Sequence, residues 1–320
     1  MAGRRGGPLT RSMRTRSRAQ AAAALVLTAL LGVPDLLLSP SPGPRTDTAY
    51  TSTSTTGMQA DTTEDTAVTF RGLVFDLCEA PPLAVMSAWR KSSPYGAVGV
   101  PYAGRGGECP GRSRPTRSWV AEVHRMGWRL LPLFTGAQPP CAKPLADGPP
   151  VAAAGREGAV VREGVIGRAP VAQGQEEGSE AVRAAHALGM TRGSALYVSL
   201  KSYDLDDPSC VRTTLDYIRA WNREVRRHGY VPGLRSHADA GVLHMEHARR
   251  AGTGDLPSAM WFARWNHRPS LYEERALHPY AWRVKRRIHQ YEGEVTEEYG
   301  GHRLTVGRSL ADAPVARIRR

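Results

Sequence analysis

The chain has no apolar run longer than the 13 residues from Ala21 to Val33, short of the roughly 20 that a membrane-spanning helix needs. Its four cysteines, Cys78, Cys109, Cys141 and Cys210, show no metal-ligand spacing, so no metal centre is expected. His244 and His247 stand three apart without the acid of a zinc signature. The glycines around Gly104, Gly106 and Gly107 are not followed by the Lys-Ser/Thr pair of a phosphate loop, so neither a nucleotide nor another cofactor is expected. No internal repeat is present. Residues 46–67 contain no Lys or Arg at all.

Charge is distributed unevenly along the 320 residues. Residues 1–45 hold seven Arg and one Asp, and residues 46–67 hold Asp47, Asp61, Glu64 and Asp65. These segments contribute +6 and −4, which leaves +11 of the formal +13 for the rest. A basic domain suits anionic polymers or surfaces, although an Arg-rich solvated face is the plainer reading. Nucleic acid is not an expected partner.

The basic stretch Arg4–Arg18, the apolar run and the break at Pro34 have the layout of a secretory signal peptide over residues 1–38. If uncleaved, that segment would be an N-terminal anchor. Residues 39–67 are rich in Ser, Thr, Pro and Asp and poor in large apolar side chains. Such a segment buries too little surface to offset its ordering entropy, so a disordered linker is expected there. Export favours disulfides among the four cysteines, and four cysteines allow three pairings. All four follow strand ends in the reading below, which puts them on one rim.

Residues 68–315 read as one folded domain. Apolar, β-branched runs predict strands at Phe70–Phe75, Ala97–Val100, Trp128–Phe134, Ala195–Leu200, Tyr230–Leu234, Ala259–Trp265 and Arg286–Tyr291, with a short eighth at Leu304–Val306. Helices are expected at Leu83–Lys91, Arg117–Met126, Ser179–Leu188, Pro208–His228 and Asp239–Arg249. Residues 136–178 form a long insertion rich in Gly, Pro and Ala, expected to be irregular and partly mobile. Strands alternating with helices make this an α/β chain with a parallel sheet. Seven or eight strands fit a (β/α) TIM-like barrel, irregular or incomplete in places, with an open doubly wound sheet as the rival.

In such folds the chemistry sits at the C-terminal ends of the strands. The strand Ala195–Leu200 is followed by Lys201, Asp204, Asp206 and Asp207, and the first strand ends in Asp76 with Glu79 close behind. Asp76 would be a catalytic carboxylate, a helix cap, or the partner of Lys201 or Arg264. Asp204 and Asp206 would be displaced acids, or they would only favour the positive end of the next helix. Tyr203, Trp265 and the polar Arg264 and Gln290 are candidates to face the same mouth, where aromatics could stack on sugar rings. A satisfied internal network is the plainer role for them.

Several stretches then carry a resemblance. They run from Gly72 to Pro81, from Met86 to Arg90 with Ser93–Tyr95, from Met126 to Leu133, from Trp261 to Trp265, from Arg287 to Tyr291 and from Glu298 to Gly301. In this order and spacing they resemble the glycoside hydrolase-like domain of secreted actinobacterial proteins, which is similar in fold to family-25-type lysozymes. The resemblance covers residues 69–312.

It implies a first strand ending in Phe-Asp, matched by Phe75 and Asp76. It also implies a fourth strand reading Tyr-x-Asp-x-Glu, where this chain has Tyr197, Ser199 and Lys201. The Asp expected on the last strand is replaced by Gly307. Glycoside hydrolysis normally takes two carboxyl groups, and here one expected acid, Asp76, stands in place.

The expectation is therefore a secreted or envelope-attached barrel, catalytically impaired, with a glycan-related role at the cell wall. Its mouth would be formed by Asp76, Glu79, Tyr203, Arg264, Trp265 and Gln290. The rivals are an active muramidase-like glycosidase using Asp76 with Asp204 or Asp206, and a basic protein that binds an anionic polymer.

Overall fold

The computed structural model describes residues 67–105, 113–143 and 164–319. The predicted signal segment, nearly all of the linker, Cys109 and the middle of the 136–178 insertion lie outside them. Eight strands close into a barrel: β1 (Thr69–Asp76), β2 (Ala97–Ala103), β3 (Arg129–Phe134), β4 (Ala195–Ser199), β5 (Val231–His237), β6 (Ala259–Ala263), β7 (Arg287–Tyr299) and β8 (His302–Pro314). Neighbours from β1 to β7 pair in parallel. β8 runs antiparallel to both β7 and β1.

Side-chain alternation divides each strand between two cores. Val74, Leu131, Tyr197, Trp261, Ile288 and Ala311 fill the barrel interior. Phe75, Val98, Phe134, Leu196 and Phe262 point outward, into the layer between sheet and helices. A two-residue period with both faces apolar is what a covered parallel sheet requires.

The helices are α1 (Leu83–Ser92), α2 (Arg117–Arg125), α3 (Pro170–Ala187), α4 (Pro208–Arg227) and α5 (Leu243–Arg250), the last entered through one π-helical turn, Ala238–Val242. Two caps follow from the sequence. Thr116 Oγ1 accepts the N–H of Trp119 at 3.2 Å. Asp207 accepts those of Ser209 and Cys210 at the start of α4, which meets donors that a helix leaves unpaired.

Three sequence expectations shift. First, α3 begins at Pro170, not Ser179. Gly174 and Gly178 suggested a loop, yet a Cβ on Gly174 would lie 2.3 Å from the Tyr217 carbonyl oxygen. The glycines let α3 lie against α4, and that packing offsets their weak helix propensity. Second, β8 is a 13-residue antiparallel strand, not a short stub. Its polar residues alternate with buried ones, so no continuous apolar run announces it.

Third, β7 runs to Tyr299, where the expected strand ends at Tyr291. No described helix covers the β6–β7 connection, in line with the expected set of helices. Two residues of β7 hold that segment instead. The buried Arg287 donates to the carbonyls of Leu271, His278 and Ala281. His289 sits 2.7 Å from the carbonyl oxygen of Ser270 and 2.9 Å from that of Arg264. Among the described residues, no helix is long and apolar enough to cross a membrane.

Candidate functional site

Alternation along the strands places a ring of polar side chains inward, one layer above Tyr197 and Trp261. It comprises Asp76 at the end of β1, Ser199 at the end of β4, Arg235 on β5, Gln290 on β7 and Ser309 on β8. Asp76, Gln290 and Ser309 are buried, while Arg235 is 23% exposed and reaches toward the opening.

Gln290 Nε2 donates to both carboxyl oxygens of Asp76, at 2.9 Å each. An Arg235 guanidinium nitrogen lies 3.5 Å from Asp76 Oδ2 and 3.3 Å from Gln290 Oε1. Arg235 also donates to Ser199 Oγ at 3.3 Å, and its charge lies 5.7 Å from the centre of the Trp261 ring. Trp261 Nε1 donates to Ser309 Oγ at 3.3 Å, below the carboxylate.

Burial pushes the Asp76 carboxyl above the usual Asp range, against the pull of Arg235 and the hydrogen bonds from Gln290 and Ser309. Removal from water disfavours the charged form, and here it outweighs the nearby cation. Among the described residues, no second carboxyl group shares a hydrogen bond or an ion pair with this cluster.

Gly307 stands opposite Asp76 in the β1–β8 register. A Cβ there would meet Gln290 Nε2 at 2.3 Å and Asp76 Oδ1 at 2.7 Å. A side chain at position 307 would thus occupy the space that lets Gln290 close on Asp76. Trp265 completes the mouth. Its indole nitrogen donates to Gln290 Oε1 at 3.2 Å, it is half exposed, and it packs directly on Gly293.

Of the residues singled out in the sequence, Asp76, Gln290 and Trp265 come together. The others are engaged elsewhere. Tyr203 is buried, with its hydroxyl 2.7 Å from His244 Nδ1, and burial lowers that imidazole to about 4. Arg264 is forked between Glu274 and the exposed Asp239. Asp204 Oδ1 accepts the N–H of Asp206 in a local turn, and Glu79 is exposed.

The Lys201 backbone N–H donates to Gln138 Oε1 at 2.7 Å. The cation beside Asp76 is Arg235, where the sequence offers Lys201 or Arg264 as one alternative. Arg235 and Ser309 went unmarked in the sequence. The signal for Arg235 was its place two residues beyond Gly233 and two before His237, in the inward phase of β5.

Cys141 and Cys210 form a disulfide across 69 residues, joining the loop after β3 to the first turn of α4. Cys78 is disulfide-bonded as well. Asp207 approaches the Cys141–Cys210 pair closely enough to resemble a metal-ligand group. Both sulfurs are bonded to each other, however, and the carboxylate caps α4.

A family model described as the Rv2525c-like, glycoside hydrolase-like domain matches residues 87–311. No curated protein matches the sequence. Among solved structures, an uncharacterized B. stearothermophilus protein is similar at 18% identity, with 75% of this chain and 95% of that one covered and a TM-score of 0.47. The Mycobacterium tuberculosis Tat-secreted protein Rv2525c, solved with L-tartrate, is similar at 14% identity, with 77% and 99% covered and a TM-score of 0.48. The catalytic domain of endolysin ply40, from bacteriophage P40 of Listeria monocytogenes, is similar at 12% identity, with 76% and 93% covered and a TM-score of 0.43.

Proposed function

This chain belongs to the Rv2525c-like, glycoside hydrolase-like domain family, and from that premise we propose that it is an exported barrel that binds cell-wall glycan without cleaving it. One observation carries the reading. The buried carboxylate at the barrel mouth, Asp76, is held by Gln290 and faces the cation of Arg235. Hydrolysis of a glycosidic bond needs a proton donor and a second carboxyl as nucleophile or base, within about 5 to 9.5 Å. Ser199 occupies the strand-end position where the resemblance implies an acid, and its hydroxyl serves Arg235. A guanidinium beside the reacting sugar opposes the positive charge that develops on it.

The same groups suit binding. Trp265 offers an aromatic surface at the rim, and Arg235 and Gln290 are donors of the kind that hold hydroxyl or carboxylate groups of a sugar. Export is supported by the signal-like layout of residues 1–38 and by the disulfide Cys141–Cys210, since disulfides persist in oxidising compartments.

A second reading draws on the raised pKa of Asp76. A carboxyl shifted upward by burial moves in the direction that a general acid requires, and Asp204 or Asp206 would then have to supply the second group.

The test is incubation of the purified protein with peptidoglycan, measuring both sedimentation with the polymer and release of reducing ends, beside Asp76→Asn and Trp265→Ala. The expected result is co-sedimentation, weakened about tenfold by Trp265→Ala as for an anchoring aromatic, with no reducing ends released. Release that vanishes in Asp76→Asn would overturn the non-hydrolytic reading in favour of the glycosidase.

A further inference from the structure

The opposite end of the barrel carries a second cleft, of about 780 Å³, formed where the parallel strands begin. Val68 precedes β1, Arg129 opens β3, Tyr230 precedes β5, and Ala316–Arg319 follow β8, so the lining belongs to the N-terminal face. Its basic members are Arg129, Arg192, Arg317, Arg319, His124 and His186, and no Asp or Glu lines it. All four arginines are exposed.

Many arginines elsewhere are paired with acids. Arg223 pairs with Asp255, Arg227 with Glu224, Arg249 and Arg250 with Glu246, Arg264 with Asp239 and Glu274, and Arg308 with Glu292 and Glu297. No such partner among the described residues serves Arg129, Arg192, Arg317 or Arg319. Helix ends explain part of the cleft. His124 and His186 lie in the last turns of α2 and α3, and Arg192 packs on Gly229, just past α4. A cation there complements the negative end of the helix dipole. Arg129, on a strand, and Arg317 and Arg319, on the C-terminal segment, have no such reason to converge.

We propose that this cleft is a binding site for a multiply charged anion bearing phosphate or carboxylate groups, distinct from the glycan-binding mouth at the other end. Four guanidinium groups around one concavity repel one another. An anion removes that repulsion, and the planar fork of each guanidinium matches two oxygens of a phosphate or carboxylate. The cleft is open and exceeds the volume of a single phosphate, which favours a ligand with several charged groups. Such groups occur on small polyvalent anions and on phosphodiester or uronate polymers alike.

The test uses the full chain and isothermal titration calorimetry at low and high salt, with tripolyphosphate, poly(glycerol phosphate) and polygalacturonate as probes. The first reports a free phosphate chain, the second a phosphodiester polymer and the third a carboxylate polymer. The variant Arg192→Gln/Arg317→Gln is compared with Arg268→Gln/Arg303→Gln, which removes the same charge from exposed positions beyond the opposite end of the barrel.

The expected result is binding of at least one probe that weakens about tenfold or more in the cleft variant, changes less than about twofold in the control, and falls with added salt. Equal loss in both variants would reduce the effect to overall charge and overturn the site. Absence of binding by all three probes would overturn it as well. Neither outcome bears on the glycan mouth, whose test reads sedimentation with Trp265→Ala.

Discussion

The contact between Gly307 and the Asp76–Gln290 pair can be tested by adding one methyl group. In Gly307→Ala the new Cβ would lie 2.3 Å from Gln290 Nε2 and 2.7 Å from Asp76 Oδ1. Non-bonded heavy atoms rest about 3.5 to 4.0 Å apart, so the amide must retreat by about 1 Å or more. Gln290 cannot do this freely, because Arg235 and Trp265 both donate to its Oε1. The retreat breaks its two 2.9 Å bonds to Asp76.

Hydrogen bonds to a charged group contribute about 1.5 to 3 kcal/mol each, and water entering the mouth recovers part of that. Overpacking a filled site costs about 1 to 3 kcal/mol. A net loss of about 3 kcal/mol is expected, which for a domain of this size lowers Tm by roughly 6 to 12 °C. The control is Gly254→Ala, where no atom lies within 4 Å and no positive φ intervenes, with an expected change within about 0.5 kcal/mol. Thermal melts followed by near-ultraviolet circular dichroism decide the matter. A Gly307→Ala protein that melts with the wild type would show that the Asp76–Gln290 contact is not a rigid part of the fold.

Two further expectations concern Asp76 and the disulfide. Because burial raises the Asp76 carboxyl, the folded chain holds this proton more tightly than the unfolded one, and its contribution to stability falls as pH rises from the ordinary Asp range through the raised value. Asp76→Asn lacks that term, so its destabilisation relative to wild type, measured by urea unfolding at several pH values, should be largest in acid and shrink toward neutrality; a gap that widens with pH would mean that Arg235 outweighs burial. Cys141→Ser/Cys210→Ser opens a loop spanning 69 residues and is expected to cost about 4 kcal/mol on the chain-entropy account, read as a drop in the urea midpoint; a cost below about 1 kcal/mol would contradict that account for this bridge.

Much of the architecture was legible because the informative residues are structural. The stretches that carried the family resemblance meet in space: Trp89, Tyr95, Trp128 and Tyr299 gather with Phe75 in one aromatic cluster between the barrel and its first helices. Trp89 Nε1 ties α1 to the β7–β8 hairpin through the His302 carbonyl, and Tyr95 donates to Glu297. Large apolar runs and aromatic spacing report packing, which is why six of the eight strands could be read with little shift, while the polar outer halves of β7 and β8 could not.

The site was less legible because its members are single residues from distant strands. Asp76 and Gln290 are 214 positions apart and Arg235 and Asp76 are 159 apart. Only barrel closure and strand register bring them together. Asp204, Asp206 and Asp207 serve a turn and a helix cap, the plainer of the two readings open for them, because consecutive loop residues fan outward while alternate strand residues converge.

The departures that the resemblance implies at the fourth and eighth strands would form one physical change rather than two unrelated losses. A lysozyme-type mouth that relies on several carboxylates offers negative charge to a developing cation on the sugar. In this chain Ser199 lies directly beside Arg235 in the β4–β5 register, and its neutral hydroxyl accepts from the guanidinium without competing for it. Arg235 is therefore left to face Asp76.

Gly307 leaves the opposite wall empty, so Gln290 can hold both oxygens of that carboxylate from the other side. A carboxylate at 199 would draw the guanidinium away from Asp76. Any side chain at 307 would displace the glutamine. The arrangement of one acid, one cation and two hydrogen bonds from one amide thus depends on Ser199 and Gly307 together, and it forms a polar floor of paired charge beneath an aromatic rim. On the function proposed above, such a floor would recognise polar groups rather than exchange protons with a leaving group. The same barrel that makes the chain glycosidase-like in fold is, on that proposal, suited to retaining a glycan, and the absence or presence of released reducing ends decides it.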